Sequence, residues 1–511
     1  MQKTTIGTVT FFSIFLLTSS LYAQTLSSKI LDSITQKPIP YVTVLLNNKG
    51  VITNEEGQFT FLLDESIKAT DSLLISCIGY ESLGKPINEF KENAIYLSPK
   101  AIELKEVIVS NKNYTPTEII TLVQENLEKN YRLGFTKKRL FLRESYQNTI
   151  LKTNYTIKES TIPAFSKAFL DSVIRSVPKK DTYYTEMLGD LYGSEDDDEQ
   201  KLDLIKASEL YDKSKRLDIE NLEERFNEII KKNVKTDSYF KVKSGLFGTR
   251  LDADELFDAE VDSTDVAALN KELEHKKKEK ENQKKFFAHY KRRTLGKLYS
   301  NLPIFKDTDY NVLFKPKRFE LTLEDFTYIG DKALYVISFE PKGSEEFRGK
   351  LYINSDDFAL VKMDFENTES LRDFKLLGIS INEYLAKGSI LFGKDNDGLY
   401  GLKYYDIVEG NRVGFRRPVQ IIEKNKNVKG PRKQNELHLK IDAAFGGLNR
   451  YEVVVFNADK ISDTTFENFK ETNEVLPQYM PNYDAEFWKG YTIMEPNTAI
   501  KEFTSEVAEE E

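Results

Sequence analysis

The chain has one cysteine, Cys77, in 511 residues. That excludes an intrachain disulfide framework and any multi-cysteine zinc or iron–sulfur site. Three histidines, His275, His289 and His438, make a His-rich metal site or a conventional His-based triad hard to assemble. Glycine (25) and proline (15) are too scarce for a collagen-like or low-complexity chain. No stretch beyond the first 23 residues is long and apolar enough for a membrane-spanning helix, which needs roughly 20 such residues. No G-x-S-x-G, Walker loop or G-x-G-x-x-G occurs. A formal charge of -9 gives no general pull toward nucleic acid or anionic membranes.

What is present is core material. Hydrophobic residues make up 40% of the chain, with 33 Phe and 27 Tyr, so global disorder is excluded and the length allows two to four domains. Residues 1–23 have a basic start at Lys3, an apolar run over 6–17 and a small residue at Ala23, the pattern of a secretory signal peptide. Cleavage there would leave Gln24 first, which is not the cysteine of bacterial lipoprotein acylation. The expected destination is the periplasm or the periplasmic face of the outer membrane, with secretion as the alternative. A lone Cys77 fits an oxidising compartment.

Residues 24–98 read as a small antiparallel β-sandwich: short strands about 8–12 residues apart, with Phe59 and Phe61 sharing one face at period two. Asp32…Pro38-Ile39-Pro40-Tyr41-Val42-Thr43-Val44, Thr53-Asn54-Glu55-Glu56-Gly57-Gln58-Phe59 and Ser76-Cys77-Ile78-Gly79-Tyr80 resemble the carboxypeptidase regulatory-like domain, a transthyretin-like sandwich. Ser28 stands where that family usually has a glycine. The resemblance implies a place among envelope proteins of Bacteroidota, including outer-membrane nutrient receptors, and implies no peptidase activity. A zinc carboxypeptidase needs H-x-x-E, and neither His275 nor His289 begins one. Glu55 and Glu56 read as a solvated turn, and Cys77 as a buried thiol.

A linker over 99–116 leads to a helix whose start is written as Thr115, Pro116 and Glu118: N-cap, first position and capping-box acid. Residues 117–195 read as the helices and first strands of an α+β domain, and 196–305 as a charged helical insertion. Within the insertion, 271–293 carries ten Lys/Arg and four Glu. It reads as a water-facing helix, with anionic lipid headgroups or an acidic partner as the alternative. Residues 306–460 alternate as a large antiparallel sheet with one wet face, and 461–511 as an aromatic tail, with Trp488 docking on its own domain, and an acidic end.

Gly349-Lys350-Leu351-Tyr352-Ile353-Asn354…Ala359-Leu360-Val361-Lys362-Met363 looks like the paired central strands of the LolA-type lipoprotein-carrier sheet. That implies a curved sheet whose apolar face can hold an acyl chain under imperfect helical cover, with a fully packed core as the alternative. Asp395-Asn396-Asp397-Gly398 reads as a hairpin turn, since it lacks the distal glutamate of a calcium loop. The expected fold is mainly β with α insertions: a transthyretin-like sandwich, then an α+β domain built on a large curved antiparallel sheet. No catalytic, cofactor-binding or metal-binding residue is assigned. The expected function is a non-catalytic envelope binding, assembly or scaffold module with an envelope-protein partner or a lipid ligand. An accessory of an outer-membrane transport system is one alternative, and a carboxypeptidase-related hydrolase is a disfavoured other.

Overall fold

The computed structural model describes residues 24–505 except 48, 64–66, 91–92, 101–113, 163–164, 195–199, 216–237, 246, 253–265, 396, 428 and 430–431. The signal segment, most of the linker and the acidic run 195–199 lie outside the described residues.

Seven strands build the sandwich: β1 (Gln24–Asp32), β2 (Thr43–Leu46), β3 (Lys49–Ile52), β4 (Gln58–Leu63), β5 (Ser72–Ser76), β6 (Leu83–Pro86) and β7 (Ala94–Leu97). One sheet has the order β4-β1-β7 and the other β3-β2-β5-β6, with β1 and β7 parallel. Phe59 and Phe61 face inward with Ile30, Val44, Leu73 and Ile75, all essentially without solvent contact. Gly57 closes the 53–57 turn at φ +72°, where an added Cβ would lie 2.5 Å from the Ile30 carbonyl oxygen. Cys77 falls just past β5, and burial pushes its thiol up to about 11.

The second body is one sheet of fourteen strands. Its main path runs β13 (Phe319–Ile329), β14 (Lys332–Pro341), β15 (Phe347–Asn354), β16 (Leu360–Asn367), β18 (Ile379–Lys394), β19 (Tyr400–Asn425), β20 (Lys433–Lys460), β8 (Thr136–Ser160), β9 (Lys180–Gly193), β10 (Lys201–Leu210) and β21 (Gln478–Met480). The strands β11 (Ser238–Ser244) and β17 (Arg372–Leu376) border β19 and β18, and β12 (Phe247–Asp252) borders β11. All pairings are antiparallel except β10 with β21. Bulges in β10, β13, β18 and β20 bend the strands.

Among the described residues six helices accompany the sheet: α1 (Pro116–Glu125), α2 (Leu127–Asn130), α3 (Lys167–Ser176), α4 (Val266–Ser300), α5 (Asp463–Asn468) and α6 (Thr498–Lys501). The helix α1 begins with the capping box expected of Thr115 and Glu118. Its Ile119, Ile120 and Val123 are fully buried with Leu295 and Tyr299 of α4 and with Val312 and Leu313. Beneath them the sheet contributes Leu142, Val453, Tyr405, Ile390, Met363, Leu351 and Ile337, none more than 1% exposed.

Over these strands the apolar face of the sheet is packed, the filled-core alternative to an acyl groove. Two expectations change here. Residues 196–305 contribute β10, β11 and β12 as well as α4, because Leu202, Leu204 and Leu210 find buried positions beside β9. The sheet over 306–460 also lacks a continuous wet face: at Tyr404–Ile407 and Val453–Phe456 both sides are buried, as they are at Phe141–Glu144 of neighbouring β8. Glu144 meets Lys291 of α4 on one side. Phe141 meets Trp488 of the tail on the other, edge-on at 5.5 Å between ring centroids.

Candidate functional site

One row of side chains crosses the whole main path on the face opposite α1 and α4. In register it reads Thr322, Ser338, Lys350, Asp364, Ser389, Asp406, Glu452, Arg143, Glu186, Ser208, Gln478, one residue per strand over eleven strands. Directly opposite residues in a sheet share a face, so every member of the row is polar on a common side.

The middle of the row is buried beneath the sandwich and the tail. Arg143 donates to Glu186 at 2.7 Å and to the Met494 carbonyl at 2.8 Å. Trp488 Nε1 donates to the other Glu186 oxygen at 2.9 Å. Burial favours the neutral form of Glu452 and pushes its carboxyl upward, and Arg450 reverses only part of that. For Arg450 the balance is opposite: burial would lower it, but Glu452 and Asp406 more than offset the effect and keep it charged.

Arg450 is one junction between the two bodies; the Gly79 N–H on the Tyr328 carbonyl and Lys100 on the Gly330 carbonyl, each at 2.8 Å, form another. Arg450 donates to Asp406 at 2.8 and 3.0 Å, to Glu55 at 2.8 Å and to Tyr41 Oη at 2.9 Å. Tyr41 also stacks on Tyr404 with ring centroids 5.0 Å apart. The same sandwich turn holds the tail. Asn54 donates to the Pro496 carbonyl, Glu55 accepts from Asn497 at 2.6 Å, and Glu56 accepts the Thr498 backbone N–H at 2.8 Å. Glu55 and Glu56 therefore form a turn that stays open to water, as expected, and also docks the tail and Arg450. Nothing local signals the docking, because the partners lie about 400 positions away in the chain.

Beyond Arg450 the row opens into a cleft of about 820 Å³ between the sandwich and β14–β19. Its lining is charged and internally matched. Lys350 bonds Glu324 at 2.6 Å, Arg348 bonds Glu366 at 2.8 Å, and Lys362 bonds Asp364 at 2.9 Å. Tyr41, Tyr352 and Lys387 complete the walls. The arrangement presents alternating charges on a rigid sheet, which suits a polar ligand carrying both signs.

The other residues weighed from the sequence lie elsewhere. Asp395 and Asp397 grip Arg132 at 2.8 and 2.7 Å, so that hairpin turn is an ion-pair clamp. His289 is exposed on α4 beside Arg292, and His438 is half-buried far along β20; His275 has no described side chain. In the basic run, Lys291 is buried against Glu144 and Arg292 pairs with Glu471, while Lys277, Lys278, Lys284 and Lys285 meet water or its edge. Among the described residues no group of three or more His, Cys, Asp or Glu is placed to hold a metal. No helix among them is long and apolar enough to cross a membrane. Trp488 docks on its own domain and is 3% exposed.

The architecture is that of a β-sandwich fixed onto one face of a long antiparallel sheet. Residues 26–109 match the CarboxypepD_reg-like domain, a non-catalytic sandwich. No curated protein matches the chain. Two solved structures of MucB with MucA, the first from Pseudomonas aeruginosa, are similar at 6% identity. They cover 65% of this chain and 93% or 92% of theirs, at TM-scores of 0.15 and 0.14.

Proposed function

We propose that the protein is a non-catalytic binding and assembly protein of the cell envelope, whose sandwich and long sheet together form a charged docking cleft. The observation that carries this reading is the row of matched charges running from the Arg450 junction into the open cleft. A wall of paired carboxylates and cations recognises a polar segment by exchanging partners with it, and gives specificity more than raw affinity. The signal-like leader supports export to the periplasm or the periplasmic face of the outer membrane. The regulatory-like sandwich supports an assembly role, as a fixed wall of the cleft. The packed apolar face directs the expected ligand away from acyl chains and toward a protein segment bearing both charges.

A photo-crosslinking residue at Lys387, in the cleft, tests this in cells of the native host. Adducts should come from the envelope fraction and should fall at least tenfold when Arg348→Glu and Lys350→Glu are combined. Adducts indifferent to that charge reversal, or recovery of the protein in the cytoplasm, would sink the reading.

A further inference from the structure

We propose that β17 is the edge through which two copies of this chain join. The strand pairs with β18 on one side and, among the described residues, with no strand on the other; all five of its residues are exposed. Leu377 and Gly378 connect it to β18 with φ of 49° and 81°, a two-residue turn of the primed kind. Such a turn makes Leu376 and Ile379 a hydrogen-bonded pair, and alternation extends this to Phe374 with Ile381 and Arg372 with Glu383. The N–H and C=O groups of Asp373 and Lys375 therefore face outward, a template for another strand.

The side chains say which strand. Asp373 and Lys375 flank Phe374 and bond each other at 3.0 Å. When β17 meets its own copy antiparallel, a two-fold axis at Phe374 sets Asp373 opposite Lys375 of the second copy, twice, and satisfies all four outward backbone groups of each strand. Moving the axis to Asp373 or to Lys375 keeps the hydrogen-bond parity but puts like charges directly opposite, which is destabilising. The charges thus admit one self-pairing and oppose its neighbours.

The uncovered face supports the same occupant. Phe374, Ile381, Val413 and Phe445 lie in one register row across four strands. Phe374 is 38% exposed, Val413 40% and Phe445 46%, with Leu376 beside them at 57%. Contiguous apolar surface of this kind marks an interaction site. Two-fold pairing places Phe374 against its equivalent and continues the patch from copy to copy, as an isologous contact requires. By strand alternation this face is opposite the cleft, so the inference stands apart from the proposed ligand site.

Sedimentation equilibrium of the chain from residue 24 onward, at about 50 μM, should give twice the monomer mass. Asp373→Lys and Lys375→Asp should each weaken the dimer at least tenfold, and mixing the two variants should restore it as a heterodimer. Lys375→Pro, which removes an outward N–H and leaves the hairpin bonds intact, should also yield monomer. Circular dichroism confirms that each variant is folded. A monomeric wild type, whether or not it floats with lipid vesicles, overturns the proposal. So does a dimer unaffected by the charge reversals.

Discussion

Arg450 on β20 and Glu55 in the sandwich turn meet at 2.8 Å across a gap of 395 residues in sequence. The bond matters because Arg450 also holds Asp406, so a single guanidinium ties the sandwich to the sheet.

Arg450→Met should loosen the sandwich on the sheet at this end, while the Gly79–Tyr328 and Lys100–Gly330 bonds still hold the other end. It leaves Asp406 and buried Glu452 without their cation, a change that typically destabilises by about 3–5 kcal/mol. Urea unfolding followed by circular dichroism should show a lower midpoint. An unchanged transition would contradict the assigned role.

Trp488 is the one tryptophan in the chain, so its fluorescence reports on the tail alone. Wild-type emission should be blue-shifted, and should move red at the point where the tail releases. Trp488→Phe keeps most of the packing against Phe141 but leaves that Glu186 oxygen with only the longer bond from Ser208, at 3.5 Å. The expected loss is about 1–3 kcal/mol in denaturant unfolding.

Gly388 in β18 is required by close approach. An added Cβ would sit 2.1 Å from the Asp406 carbonyl oxygen and 2.9 Å from Phe365. The backbone atom cannot move without disturbing the ladder to β19. Gly388→Ala should lower stability by about 1–3 kcal/mol, seen as a shift in thermal midpoint.

Asp397 supplies a pH dependence. Burial opposes its charge, but the Arg132 guanidinium and the Leu399 N–H outweigh it and hold the carboxyl below its usual range. Its folded value lies below the unfolded one. The stabilisation is therefore present above about pH 4 and is lost as acid titrates the group through its lower folded value. Asp397→Asn should be less stable than wild type at neutral pH, with the difference closing at the acid end. A constant difference across the titration would show the clamp to be uninvolved.

Elements with local signatures were legible from the chain itself. Thr115, Pro116 and Glu118 encode a helix start through neighbouring atoms, Phe59 and Phe61 encode a strand face by alternation, and Trp488 is too large and apolar to leave in water. The segment 201–210 invites a helical reading because its charges mask three buried leucines, Leu202, Leu204 and Leu210. The polar row was beyond reach, since Asp406, Glu452 and Arg143 become neighbours only after three strands pair. The docking of Glu55 and Glu56 was hidden for the same reason: a turn looks alike whether water or an arginine awaits it.

The polar row has a bearing on how the sheet can go wrong. Between the bulges side chains alternate between its two faces, so a one-residue slip of β8, with β9 carried along, against β20 would turn Arg143 and Glu186 toward the hydrocarbon interior. Misaligned assemblies are thereby penalised by stranded ions, and eleven strands drawn from distant parts of the chain are driven to a single mutual alignment.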